Sequence, residues 1–307
     1  MRLSLFDLHC DTAYKMLTEN QPLSRNNFAI SLENARKFEQ YTQVMALWTD
    51  DKLDDEVGWK QAILMSQNLQ KDFAVQQGLA AISTTVTDTS RPTLLLSVED
   101  ARILAGKLER VNVLYRLGVR ILTPLWKGNT CIGGSHDTLT GLTVFGAQAI
   151  RRAASLGMIL DISHASEQSA KEIFAIGEEY ARPVIASHSN AYDICPVSRN
   201  LKKEQIKKIL ASNGVIGLNL HVSFLKKDGN AAAKDILPHV EYFLEADAQD
   251  ALCLGCDMDG CELPPDIPNL ASLPHLAELM LQHNYPEKLI RRIFFENAVG
   301  FAKKYLT

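Results

Sequence analysis

No apolar run in this 307-residue sequence approaches the roughly 18 to 20 residues that cross a bilayer, so a transmembrane helix is not expected. There is no long Lys/Arg block either, and the formal net charge of −4 argues against a nucleic-acid surface. The short pairs Lys202-Lys203 and Lys207-Lys208 read as the solvated face of a helix. Asn-x-Ser/Thr acceptors are absent, which fits a chain that is not glycosylated. The six cysteines (10, 131, 195, 253, 256, 261) are scattered and form no disulfide framework, so reduced thiols in the cytosol are expected. Cys253 and Cys256 have the spacing of a metal knuckle, but no second pair accompanies them, and both read as core thiols. The first strand-like run begins at residue 3 and leaves no room for a charged and apolar leader, which gives the expectation of a cytoplasmic protein with no membrane partner. Low-complexity linkers and internal repeats are missing too. Residues 1–307 are therefore expected to form a single domain.

The sequence does have a regular alternation of apolar and amphipathic runs, with 46% hydrophobic residues to fill a core. Strands are predicted at 3–9, 42–48, 93–99, 120–126, 158–164, 183–189, 214–221 and 251–257. Most are apolar throughout, as strands covered on both faces are. Helical periodicity lies between them, over 144–157, 166–177 and 203–214, with Ser166 as an N-cap and Gly157 and Gly177 as stops. A doubly wound sheet would carry a Gly-rich phosphate turn after its first strand, where this chain has HCDTAYK. Eight strands with intervening helices point instead to a (β/α)8 TIM barrel, with extra C-terminal helices after residue 268.

Metal-ligand residue types stand at the ends of these strands. His9 and Asp11 close the first, two residues apart, where strand alternation turns both to one face. Glu99, His164 and His188 sit at or near the ends of three others. Five such ligands suffice for a two-metal hydrolytic centre if one carboxylate bridges, and Glu99 is the plausible bridge. Ions held there would acidify a trapped water to hydroxide near neutral pH. Asp257, ending the last strand in GCDMDG, can move a proton to a leaving amine, whereas Asp259 reads as a local turn cap. Arg199 can clamp a substrate carboxylate with two parallel hydrogen bonds. His136, His221, His239, His275 and His283 read as structural, and Cys10 as buried in packing.

DLHCD at 7–11, SVEDA at 97–101, residues 141–166, ASHSNAYDICPVSRNL at 186–201 and GCDMDG at 255–260 together resemble the membrane dipeptidase (renal dipeptidase) family of the amidohydrolase superfamily. The resemblance runs over nearly the whole chain. It implies a metal-dependent dipeptidase with two Zn2+ per chain. His9, Asp11 and Glu99 would hold one ion, and Glu99, His164 and His188 the other. A zinc-bridging hydroxide would attack the peptide carbonyl, Arg199 would bind the C-terminal carboxylate, and Asp257 would handle the proton. The family tolerates a C-terminal D-residue, and its members often form homodimers. Mammalian members have a histidine on strand four that contacts substrate, and the matching stretch LTPLWKGNT places Trp126 there. Trp126 supplies a wall and one N–H donor but cannot take up a proton. Asn129 would assist it at the substrate. The alternative is an amidohydrolase acting on another amide or on a lactone, with Arg199 serving a different acid group.

Overall fold

The computed structural model describes residues 2–86 and 90–306. Nine parallel strands occupy Leu5–Cys10 (β1), Tyr41–Leu47 (β2), Ala81–Ile82 (β3), Thr93–Glu99 (β4), Val119–Thr123 (β5), Ile159–Asp161 (β6), Val184–Ile185 (β7), Ile216–Leu218 (β8) and Leu252–Leu254 (β9). Hydrogen bonds run in the order β7-β6-β5-β4-β2-β1-β9-β8, and β3 pairs with β4 off this path. A parallel bridge between Ala186 and Ile216 joins the two ends, so the eight strands on the path form a nearly closed (β/α)8 barrel. β1, β2 and β4 are buried along their full length, which is why their sequences lack alternation.

The barrel interior is filled by inward residues, chiefly one per strand: Phe6, Val44, Leu95, Ile121, Ile159, Ile185 and Cys253, joined by Val215. Ala298, Phe301 and Ala302 of the helix Asn297–Tyr305 pack against this layer and seal the barrel's lower mouth. Closure is tight where β7, β8 and β9 meet. A Cβ on Gly217 or Gly255 would lie 1.8 or 1.7 Å from the carbonyl oxygen of Ser187, so only glycine fits either position. Helices begin at side-chain caps. Thr143 accepts from the Gly146 N–H before Val144–Ser155, and Ser166 accepts from the Ser169 N–H before Glu167–Glu179.

Several boundaries differ from the sequence expectation. The strand expected over 158–164 stops at Asp161, because its carboxylate accepts the Ser163 N–H and turns the chain. His164 then takes a left-handed conformation (φ 68°) outside the strand. The strand expected over 120–126 ends at Thr123, leaving Trp126 in the loop that follows. Gly177 does not stop its helix, which runs on to Glu179. It allows close packing instead, since a Cβ there would meet Val184 at 2.6 Å. All six cysteines are unpaired, and Cys10, Cys253 and Cys256 are buried. Among the described residues, no helix is long and apolar enough to cross a membrane.

Candidate metal centre

The C-terminal ends of the strands gather six of the residues singled out in the sequence around one point. His9 Nε2 lies 3.4 Å from Glu99 Oε2, 3.5 Å from Asp11 Oδ2 and 3.8 Å from Asp257 Oδ1. The other Glu99 oxygen, Oε1, lies 2.8 Å from His164 Nε2 and 3.4 Å from His188 Nε2. His9 and Asp11 do not converge by strand alternation, because β1 ends at Cys10 and its register slips there. Asp11 sits beyond the strand, at the start of the helix Thr12–Glu19.

The protonation of the two later imidazoles follows from their outer nitrogens. His164 Nδ1 is 3.1 Å from the carbonyl oxygen of Trp126, which can only accept, so Nδ1 carries the hydrogen. His188 Nδ1 is 2.7 Å from Ser187 Oγ, whose own hydrogen goes to Asp161 Oδ2. Nδ1 of His188 is therefore a donor as well. Burial pushes His164 down to about 3 and His188 well below the usual histidine range, with the charge of Arg199 adding to both, so the rings are neutral. Their bare Nε2 atoms stand 2.9 Å apart and share the approach to a carboxylate oxygen. Such a gathering of lone pairs with no proton among them needs a cation.

Unsatisfied atoms fit the same reading. His9 Nε2, Asp11 Oδ1 and Glu99 Oε1 are all buried without a hydrogen-bond partner. Burial works to lower the pKa of His9, but the carboxylates of Glu99 and Asp11 outweigh it and raise it well above the ordinary value. Glu99 is buried too, yet the charge of His9 holds its carboxyl well below the usual range. Burial pushes Asp257 up to about 7; His9 opposes this, while Asp11 and Glu99 add to it. A bound cation would draw that value back down. Asp257 Oδ2 accepts a hydrogen bond of 3.0 Å from Asn219 Nδ2.

Arg199 is 5% exposed and lacks a carboxylate within ion-pair distance among the described residues. Its guanidinium donates to the His188 carbonyl at 3.1 Å and to Ser189 Oγ at 3.4 Å, while Nε has no partner. It faces the same cavity as Glu99, His164 and Asp257, a space of about 420 Å³ that suits a small ligand.

Trp126 also lines this cavity. Asn129 does not: an antiparallel bridge to Gly134 folds its segment back, its Oδ1 accepts from Thr140 Oγ1, and it faces a separate cleft with Asp51 and Arg102. Asp259, expected to cap its own turn, instead joins distant segments, accepting from Thr12 Oγ1 at 2.6 Å and the Ala29 N–H at 2.8 Å. His136 and His221, read as structural in the sequence, stand on the cavity wall. His239 is buried away from it, accepting the Ala191 N–H and donating to the Leu225 carbonyl. Sequence reading also missed Asp161 and Ser187, the pair behind His188. Their only signal was their place one or three residues from a candidate ligand.

A protein of unassigned function from the pqqA 5′ region of Klebsiella pneumoniae is 30% identical over 216 residues, or 66% of this chain and 79% of that protein. The crystal structure of a metallopeptidase from Rhodobacter sphaeroides, solved with a phosphinate mimic of L-Ala-D-Ala, superposes with a TM-score of 0.91. Identity to it is 23%, with 99% of this chain and 100% of that chain covered. The probable dipeptidase PvdM of Pseudomonas aeruginosa gives a TM-score of 0.84 at 16% identity, covering 99% and 96% of the two chains. At these identities the structures share the barrel. The family model of the membrane dipeptidases (peptidase family M19) matches residues 1–304, and the chain belongs to this family of metal-dependent peptidases.

Proposed function

We propose that the protein hydrolyses dipeptides, including those with a C-terminal D-residue, at a centre of two zinc ions. The observation that carries this reading is the convergence of bare His164 and His188 nitrogens on one oxygen of Glu99, while the other oxygen faces His9. His9, Asp11 and Glu99 would hold one ion, and Glu99, His164 and His188 the second, with Glu99 shared between them. Imidazole and carboxylate donors in this ratio suit zinc. When bound, the ions supply Lewis acidity, which makes water nucleophilic near neutral pH and polarises a carbonyl.

The remaining steps fall to the chain. Arg199, a buried guanidinium with no counter-ion among the described residues, would receive the free carboxylate of the substrate. Fixing that end sets how far the scissile bond lies from the metal ligands and limits the substrate to two residues. Asp257, held by Asn219 beside the ligands, would take the proton of the attacking water and pass it to the departing amine. Trp126 forms part of the wall. The unpaired cation at Arg199 favours a substrate with a free acid group over a neutral lactone.

The test compares a dipeptide with its C-terminal amide and with the tripeptide that extends it. Cleavage of the free dipeptide alone, lost on chelation and restored by zinc, is the expected result. Equal cleavage of the amide would remove Arg199 from its role, and hydrolysis of neutral amides or lactones only would replace the dipeptidase reading.

A further inference from the structure

Arg199, His221 and Phe224 all follow β7 or β8 and stand together: the guanidinium lies 5.2 Å from the Phe224 ring, which is 4.3 Å from the His221 ring. The strands that face β7 and β8 across the barrel are β2 and β4. On that side, the helix after β1 and the loops after β2 and β5 bring up Tyr14, Trp48 and Trp126, which all line the cavity. Their rings form a continuous wall. Tyr14 meets Trp48 edge-on at 5.0 Å, Trp48 meets Trp126 at 5.1 Å, and Trp126 lies 6.4 Å from the His164 ring. The wall therefore starts beside the metal ligands and runs outward, away from the Arg199 side.

The lysines next to it are already paired. Lys15 Nζ lies 3.6 Å from Asp259, and Lys127 Nζ lies 3.4 Å from Asp51. Among the described residues the wall then carries no unpaired cation, although Lys127 Nζ stands 5.9 Å from the Trp126 ring, and an acidic group gains less there than at Arg199. A flat apolar ring gains stacking and edge contacts with indole and phenol, and loses water.

We infer that the half of the cavity opposite Arg199 is the subsite for the N-terminal side chain, and that Tyr14, Trp48 and Trp126 select dipeptides whose first residue is aromatic. This rests on the dipeptidase reading above. With the carboxylate at Arg199 and the scissile carbonyl at the metal ligands, the first residue extends toward the opposite strands. Contact with the wall persists from bound substrate to transition state, so the selection acts mainly on KM.

The experiment measures kcat and KM of the zinc-loaded protein on X–D-Ala and X–L-Ala, with X as Gly, Leu, Phe, Glu or Lys. The expected result is a kcat/KM for Phe at least about tenfold above Gly, carried by KM. Trp48→Ala should reduce that ratio to about two or less, and Trp48→Phe should retain most of it. The ratio is internal to each preparation, so a partly misfolded fraction cancels. Cleavage with Gly equal to Phe, with Glu or Lys preferred, or with a Phe/Gly ratio untouched by Trp48→Ala overturns the inference while leaving the dipeptidase reading in place. No cleavage of any dipeptide by protein that has bound zinc removes both.

Discussion

His164 Nε2 and His188 Nε2 are 2.9 Å apart, each on a ring whose hydrogen is committed at Nδ1. Two lone pairs at that distance repel unless a cation joins them. A His164→Ala, His188→Ala double variant should lose activity by at least about a thousandfold. Zinc should raise the melting temperature of the wild type and leave that of the double variant nearly unmoved, because only a folded state with a site gains from the ligand. Full activity in the double variant would contradict the assignment.

Ser187 connects His188 to Asp161, accepting from the imidazole and donating to the carboxylate. Asp161 also accepts from Thr123 Oγ1 at 2.7 Å and from the Ser163 and Ser187 N–H groups, which fixes its position. Ser187→Ala should weaken zinc affinity about 10- to 100-fold while the fold persists. Competition with a chromophoric chelator measures this, and unchanged affinity would show that the serine does not orient the ligand.

Arg199→Lys keeps the charge but not the planar fork. KM for dipeptides should rise at least about tenfold, with a smaller change in kcat. Arg199→Met should raise KM further without lowering stability, because it removes a buried charge that has no carboxylate partner among the described residues. Steady-state kinetics and denaturant titration separate the two effects.

Asp257→Asn preserves the shape of the side chain and the contact with Asn219. Zinc binding should survive, while kcat should fall about 10²- to 10⁴-fold if Asp257 moves the proton. A variant with full kcat would assign that step elsewhere.

His239 lies outside the cavity, and burial lowers its pKa to about 4. A histidine depressed below its unfolded value of about 6.5 stabilises the fold fully above that value. The contribution is lost as pH falls, because the unfolded chain binds the proton first. Between pH 7 and pH 5 the loss should be about 2 kcal/mol. His239→Asn should have a shallower stability profile over that interval, read by urea titration at each pH. Parallel profiles would show that His239 is not the group responsible.

The candidate ligands were legible in the sequence because each stands within three residues of a strand end, and parallel strands bring their C-terminal ends to one rim. His9, Glu99 and His188 needed only the strand positions to be found. Asp11 and His164 reach the centre for reasons the pattern does not carry: a register slip after Asp7 and a left-handed residue after the Asp161 turn. His136 and His221 were read as structural since each is a single histidine, His221 at the end of the strand expected over 214–221, and the path of the chain around them depends on contacts distant in sequence. His136, for example, is placed by Ser198, 62 residues away, through a 2.8 Å contact. Of the aromatic wall only Trp126 was legible; Tyr14 and Trp48 were missed for the same reason. Asn129 looked poised beside Trp126 in the sequence, but the Asn129–Gly134 bridge carries it to another cleft.

The most direct test of the central claim is a count of bound zinc, by calorimetric titration of metal-stripped protein with elemental analysis of the complex. Two equivalents for the wild type, and a loss of both sites to at least about a hundredfold weaker binding in Glu99→Ala, is the expected result. One equivalent, or two that Glu99→Ala leaves intact, would contradict a shared carboxylate between His9 and the His164–His188 pair.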